Sequence, residues 1–198
     1  LAGRSQERMQ AAARRIVARA KRAGVERPQV ETASLDLASL ASVRSFATAF
    51  TRSHAQLDVL LLNAGVSSLP QRTLTEDGLE TQFQVNYLGH FLLTNQLMPL
   101  LRAAPAPRVV SVASVASYLP TATIQLDDLQ RAAPLSYGSC TTPFDCFAYH
   151  QSKLAQLLFS RELQRRLGGA RSRATVVSAR PVPSPSPTPL PHPNPSLT

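Results

Sequence analysis

Leu57-Asp58-Val59-Leu60-Leu61-Leu62-Asn63-Ala64-Gly65 decides the fold. Residues 57–62 read as a continuous apolar strand, the pattern of a parallel sheet buried on both faces. Outward from it, strand-like and helix-like segments alternate. Residues 5–23 carry Met9, Ala12, Ala13, Ile16, Val17 and Ala20 at helical spacing, with Ser5 as N-cap and Gly24 as stop. Residues 29–35 read as a short strand, and 39–52 as a helix built on Leu40, Val43, Phe46, Ala47 and Phe50. After the central strand come a long helix over 79–101, a strand over 108–112, an irregular stretch over 118–144, a helix over 147–167 and a strand over 173–177. Strands alternating with helices predict an α/β fold with a parallel sheet and right-handed crossovers.

The chemistry concentrates in Tyr149-His150-Gln151-Ser152-Lys153. A tyrosine and a lysine four residues apart share one helix face. A phenol is a poor acid or base near neutrality, and an ammonium within roughly 4–6 Å favours its ionised form. Tyr-x-x-x-Lys can therefore build a proton donor and acceptor for a carbonyl/alcohol pair. By itself the spacing is also that of an ordinary helix surface. Three further motifs stand in order with it: Asn63-Ala64-Gly65, Asn86-Tyr87-Leu88-Gly89, and a strand ending in small hydroxyl residues, Ser111-Val112-Ala113-Ser114.

Taken together, these four motifs resemble the short-chain dehydrogenases/reductases. Gly78-Leu79-Glu80-Thr81 and the sequence around Tyr149 most resemble the retinol dehydrogenase-like branch. The resemblance runs from about Leu1 to Val177. It implies a Rossmann-like, doubly wound parallel sheet and hydride transfer between a carbonyl and an alcohol. Tyr149 would be the acid/base, and Lys153 would tune it and hold the cofactor ribose. Ser114 would orient the substrate oxygen, with Ser111 and Ser117 as competitors. Asn86 would hold a water that links Lys153 to solvent. Asn63, Ala64 and Gly65 would pack beside the cofactor, where glycine permits close backbone approach. Asp36 would bind the adenine amine with Leu37 packed nearby, although capping the next helix is a rival use of Asp36. Arg4 and Ser5 follow the inferred second strand. With no acid at either position, Arg4 suits a 2′-phosphate, so NADP(H) is expected in preference to NAD(H).

The family's Thr-Gly-x-x-x-Gly-x-Gly turn does not occur in this sequence, and Leu1-Ala2-Gly3-Arg4-Ser5 resembles the end of the family's second strand. A sheet without its first strand and helix is therefore expected, with unpaired edges in its middle and low stability. Arg180-Pro181-Val182 stands where the family has His-Pro-Gly. The reading is an incomplete dinucleotide-binding domain over 1–178 and a Pro/Ser-rich disordered tail over 179–198. A catalytically inactive relative that binds a partner is the alternative function.

Composition narrows the rest. The 198 residues are 43% hydrophobic, enough for one domain with a sizeable core. Net charge is +9, with arginines clustered in 8–22 and 161–173. No aromatic residues interleave with them, so solvated helix faces are expected rather than nucleic-acid binding. No apolar run approaches the roughly 20 residues that span a bilayer. Cys140 and Cys146 read as two ordinary thiols, and no metal-ligand spacing occurs. No Gly-x-Ser-x-Gly elbow suggests a hydrolase. The resemblance further implies a small lipophilic carbonyl or alcohol substrate and a homodimer formed partly by the 147–167 helix. A soluble cytoplasmic or organellar location is the expectation.

Overall fold

A computed structural model describes residues 1–67, 69–133, 135–139, 142, 146–167 and, as backbone, 175–179. The Pro-rich stretch from residue 180 onward lies outside the described residues, as does Cys140. The elements are β1 (Ala2–Gly3), α1 (Gln6–Arg22), β2 (Ala33–Ser34), α2 (Leu40–Ser53), β3 (Val59–Leu62), α3 (Thr81–Phe83), a π turn (Gln84–Leu88), α4 (Gly89–Gln96), α5 (Met98–Ala103), β4 (Arg108–Val112), α6 (Phe147–Leu167) and β5 (Thr175–Ala179). All strand pairs are parallel.

The sheet comes in two pieces. β1 pairs with β2, and β3–β4–β5 form a second ladder. No pairing among the described residues joins β1 to β3, the position at which an unpaired edge was expected. The larger piece is stitched over four to five residues per strand, with Leu60 opposite Val109 and Val109 opposite Val176. The smaller is two residues long: Ala2 faces Ala33 and Gly3 faces Ser34. The expected strand over 29–35 is thus shortened to Ala33–Ser34, because a strand exists only where a partner offers it hydrogen bonds.

Burial on both sheet faces is also corrected. Leu60 and Leu62 are buried, whereas Val59 and Leu61 are 54% and 59% exposed. Side chains alternate across a strand, so one face of β3 is covered and the other open among the described residues. The covered face holds the core: Leu60, Leu62 and Val109 meet Val43 and Ala47 of α2, Leu93 of α4, Leu100 and Leu101 of α5, and Leu163 of α6.

Helix ends follow local chemistry. Ser5 caps α1 by accepting from the Arg8 amide, and Gly24 follows its end at φ +84°, a conformation that glycine adopts freely. Ser39, not Asp36, caps α2, accepting from the Ser42 amide. The single helix expected over 79–101 is divided. Glu80 opens it with a carboxylate that accepts from the Gln82 and Phe83 amides. The π turn then holds Asn86, and Pro99 starts a separate α5 because its ring would clash with the preceding turn. The strand expected over 173–177 lies two residues later.

Arg8, Arg14, Arg15, Arg19, Lys21 and Arg22 of α1 are all exposed. Cys146 is disulfide-bonded, which corrects its reading as an ordinary thiol; cysteine counting does not weigh a short spacing within one loop. Among the described residues no helix is long and apolar enough to cross a membrane, and no group of three residues could hold a metal.

Candidate active site

β3, β4 and α6 bring the chemical residues together. α6 places Tyr149 and Lys153 one turn apart, with the Lys153 ammonium 5.9 Å from the centre of the Tyr149 ring. Lys153 is 5% exposed, and burial pushes its pKa down to about 8. Its Nζ donates to the Val112 carbonyl and to Gln156 Oε1, each at 3.0 Å. The last residue of β4 and the next turn of α6 therefore fix the ammonium together.

Asn86 ties this region to the turn after β3. Its Oδ1 accepts from the Val66 amide at 2.7 Å, and its Nδ2 donates to the Val66 carbonyl and to Ser152 Oγ, both at 2.9 Å. Both amide hydrogens are spent, which leaves a lone pair on Oδ1 as all that the side chain could offer a water. Ser152 Oγ donates in turn to the Tyr149 carbonyl at 2.7 Å. Gly65 is needed here for space. A Cβ at that position would stand 2.9 Å from Asn86 Oδ1 and 3.5 Å from Lys153 Nζ. Gly89 has the same need elsewhere: its Cβ would lie 2.9 Å from the Leu37 carbonyl.

Of the three candidate serines, Ser111 is fully buried in β4 with an unpartnered hydroxyl. Ser117 donates its hydroxyl to the Ser114 carbonyl. Ser114 is half-buried, and its Oγ accepts from the Ala116 amide at 3.2 Å, so its own proton stays available. The short helix Val115–Tyr118 that follows packs against α6. The loop beyond it is pinned from α6 as well. Gln151 donates to Leu129 O and accepts from Gln125 N, and His150 Nδ1 meets Thr121 Oγ1 at 2.8 Å.

The residues expected to hold a cofactor spread from this centre across the gap between the sheet pieces. Arg4, Asp36, Leu37, Ala64 and Gly65 line one cavity of about 280 Å³, with Val66 beside them. Asp36 Oδ1 accepts from the Ala38 amide at 2.9 Å, and Ser42 Oγ accepts from the Asp36 amide. Ser5 lies outside this cavity, its hydroxyl used as the α1 cap. Asn63 is exposed at the end of β3.

Two residues that the sequence reading passed over support the site. His90 on α4 is 4% exposed and places Nε2 2.8 Å from the Ala64 carbonyl, while Nδ1 has no partner. Burial holds its pKa near 4, so the ring is neutral and Nε2 carries the proton it donates. The other is Gln156, the acceptor for Lys153. In the sequence, Gln156 stands between Ala155 and Leu157 and His90 between Gly89 and Phe91, polar residues within helical stretches.

The short chain dehydrogenase family model matches residues 2–125. Retinol dehydrogenase 14 of Mus musculus is 46% identical over 141 residues, 71% of this chain and 39% of that protein. Polyprenol dehydrogenase of Homo sapiens is 44% identical over 151 residues, 74% of this chain and 42% of that protein. The crystal structure of an uncharacterised protein of Mycobacterium paratuberculosis superposes with a TM-score of 0.71 at 41% identity, covering 92% of this chain and 58% of that one. The chain thus spans less than half the length of the two curated relatives. Motif order, the parallel α/β architecture and these likenesses agree: the chain belongs to the short-chain dehydrogenase family, in its retinol dehydrogenase-like branch.

Proposed function

We propose that this chain carries the catalytic centre of an NADP(H)-dependent oxidoreductase that interconverts a lipophilic aldehyde or ketone and its alcohol. One observation carries the reading: the buried Lys153 ammonium is fixed beside Tyr149 and Gly65. In reduction, the Tyr149 hydroxyl donates its proton to the substrate oxygen as that oxygen gains charge; in oxidation it takes the proton back. Ser114 Oγ donates a hydrogen bond to the same oxygen and orients it. The Lys153 charge favours the proton's departure from Tyr149. Asn86 keeps the Val66 turn and α6 in register through its bonds to Val66 and Ser152.

The cavity beside Arg4 and Asp36 fits the adenosine half of a dinucleotide. The guanidinium suits a 2′-phosphate, and the open Asp36 oxygen suits an adenine amine. The absent Cβ at Gly65 leaves room where a side chain would collide with Asn86. When bound, such a cofactor supplies or accepts the hydride. Retinol and polyprenol, in the names of the two relatives, are both lipophilic alcohols, which supports that substrate class here. Phe83, Tyr87, Phe91 and Phe159 form a ring ladder with centroids 5.2 to 6.3 Å apart across α3, the π turn, α4 and α6. Phe91 is 41% exposed, and this face suits a homodimer contact.

The test is NADPH oxidation with retinal or a polyprenal as acceptor. Turnover that Tyr149→Phe lowers by roughly three orders of magnitude or more is expected. NADPH binding without any turnover would point to a non-catalytic binding protein instead.

A further inference from the structure

Gln156 has no part in the chemistry just described, yet it is built into the site. It lies one turn beyond Lys153 on α6 and is 1% exposed. Its Oε1 accepts from Lys153 Nζ at 3.0 Å, while its Nε2 is buried with no acceptor. A buried amide with idle hydrogens costs stability. An apolar side chain would fill a helix position among Leu154, Leu157, Leu158 and Phe159 without that cost. The oxygen end offsets it by doing something specific. An ammonium has three hydrogens and no lone pair. Val112 O takes one, and Gln156 Oε1 takes a second. These acceptors come from β4 and from α6, so they fix the nitrogen from two elements and leave one N–H uncommitted.

We propose that Gln156 is a positioning residue for Lys153, holding its ammonium against Val112 so that one N–H is reserved for the cleft. This rests on the reading of Lys153 as part of the reaction centre, and it adds a residue to that reading. The titratable groups that face the ammonium are Tyr149 on its own helix and His90 on α4, which senses the Lys153 charge. Burial already pushes Lys153 down to about 8, so each acceptor that supports its charged form counts.

The sequence makes the test clean, because it holds two lysines, Lys21 and Lys153. Lys21 is exposed on α1 and serves as an internal reference. With ¹³Cε-labelled lysine, carbon NMR across a pH series reads two midpoints from the 198-residue chain. The Lys153 midpoint is expected near 8, well below that of an ordinary lysine. Gln156→Leu, which removes the acceptor, should lower it by about one pH unit, and Gln156→Glu, nearly the same size, should raise it by about as much. Lys153 midpoints that neither variant moves would overturn the role of Gln156 and leave the site standing. A Lys153 signal that titrates as an ordinary lysine in the unsubstituted chain would overturn the site as well. If it does so only in the two variants, Gln156 belongs to the fold and the positioning role fails.

Discussion

Around β3–β4–β5, Asn86, Lys153 and His90 are each fastened to a second element, whereas the β1–β2 side of the site, with Arg4, Ser5 and Asp36, shows local bonds. Asn86 bolts the Val66 turn to α6, Lys153 joins α6 to β4, and His90 joins α4 to the turn after β3. On the other side of the gap, β1 and β2 share two residue pairs. α1 buries only Met9, and Ile16 of its apolar stripe is 46% exposed. The half that would move protons is held by hydrogen bonds between elements. The half that would hold adenosine depends on whatever bridges it to the rest. One family signature is thus distributed over regions fastened to unequal extents.

Four predictions bear on that contrast. The largest effect should come from Asn86→Ala, which strands the Val66 amide and carbonyl and should cost roughly 3 kcal/mol in chemical denaturation. A loss below about 0.5 kcal/mol would mean that the bolt is decorative. Next is acid sensitivity. His90 has a folded pKa near 4, below its ordinary 6.5, so the native state binds fewer protons in that window. Stability should fall as pH drops from 6.5 through 4, by at most about 3 kcal/mol, and level off below. In His90→Gln that slope should flatten; an unchanged slope would assign it to other groups. Third, amide hydrogen exchange should run roughly a hundredfold slower in β3 and β4 than at Ala33 and Leu35. Equal protection would show that the two pieces unfold as one unit. The smallest effect is Ser5→Ala, which removes the α1 cap and should cost about 1 kcal/mol, seen as fraying of α1 in amide exchange with β4 unaffected.

Much of this was legible in the sequence, for identifiable reasons. α1, α2, β4 and α6 follow strong local signals: a cap at Ser5, apolar periodicity, and a β-branched run, although the α2 cap expected of Asp36 falls to Ser39. The helix Phe147–Leu167 and the strand Arg108–Val112 coincide with the expected bounds. What local signals do not carry is partnership. Residues 29–35 look like a full strand, but their extent depends on β1. Val59 and Leu61 look buried, but burial requires something to lie over them. The break at Gln84–Leu88 is a tertiary matter too, since Asn86 there reaches Val66 and Ser152 on other elements. The site shows the same division. Tyr149 and Lys153 could be named from their spacing, Asn86 and Gly65 from the family their motifs resemble, and the structure brings them together. His90 and Gln156 could not, because their roles depend on the Ala64 carbonyl and the Lys153 ammonium that they meet in space.

The proposed cofactor site is assembled across both sheet pieces. Amide NMR of the ¹⁵N-labelled chain titrated with NADPH, and separately with NADH, tests it most directly. Shifts are expected at Arg4 and Asp36 on one side of the gap and at Gly65, Val66 and Lys153 on the other, with tighter binding of NADPH. Shifts confined to a single piece, or none at saturating nucleotide, would contradict it.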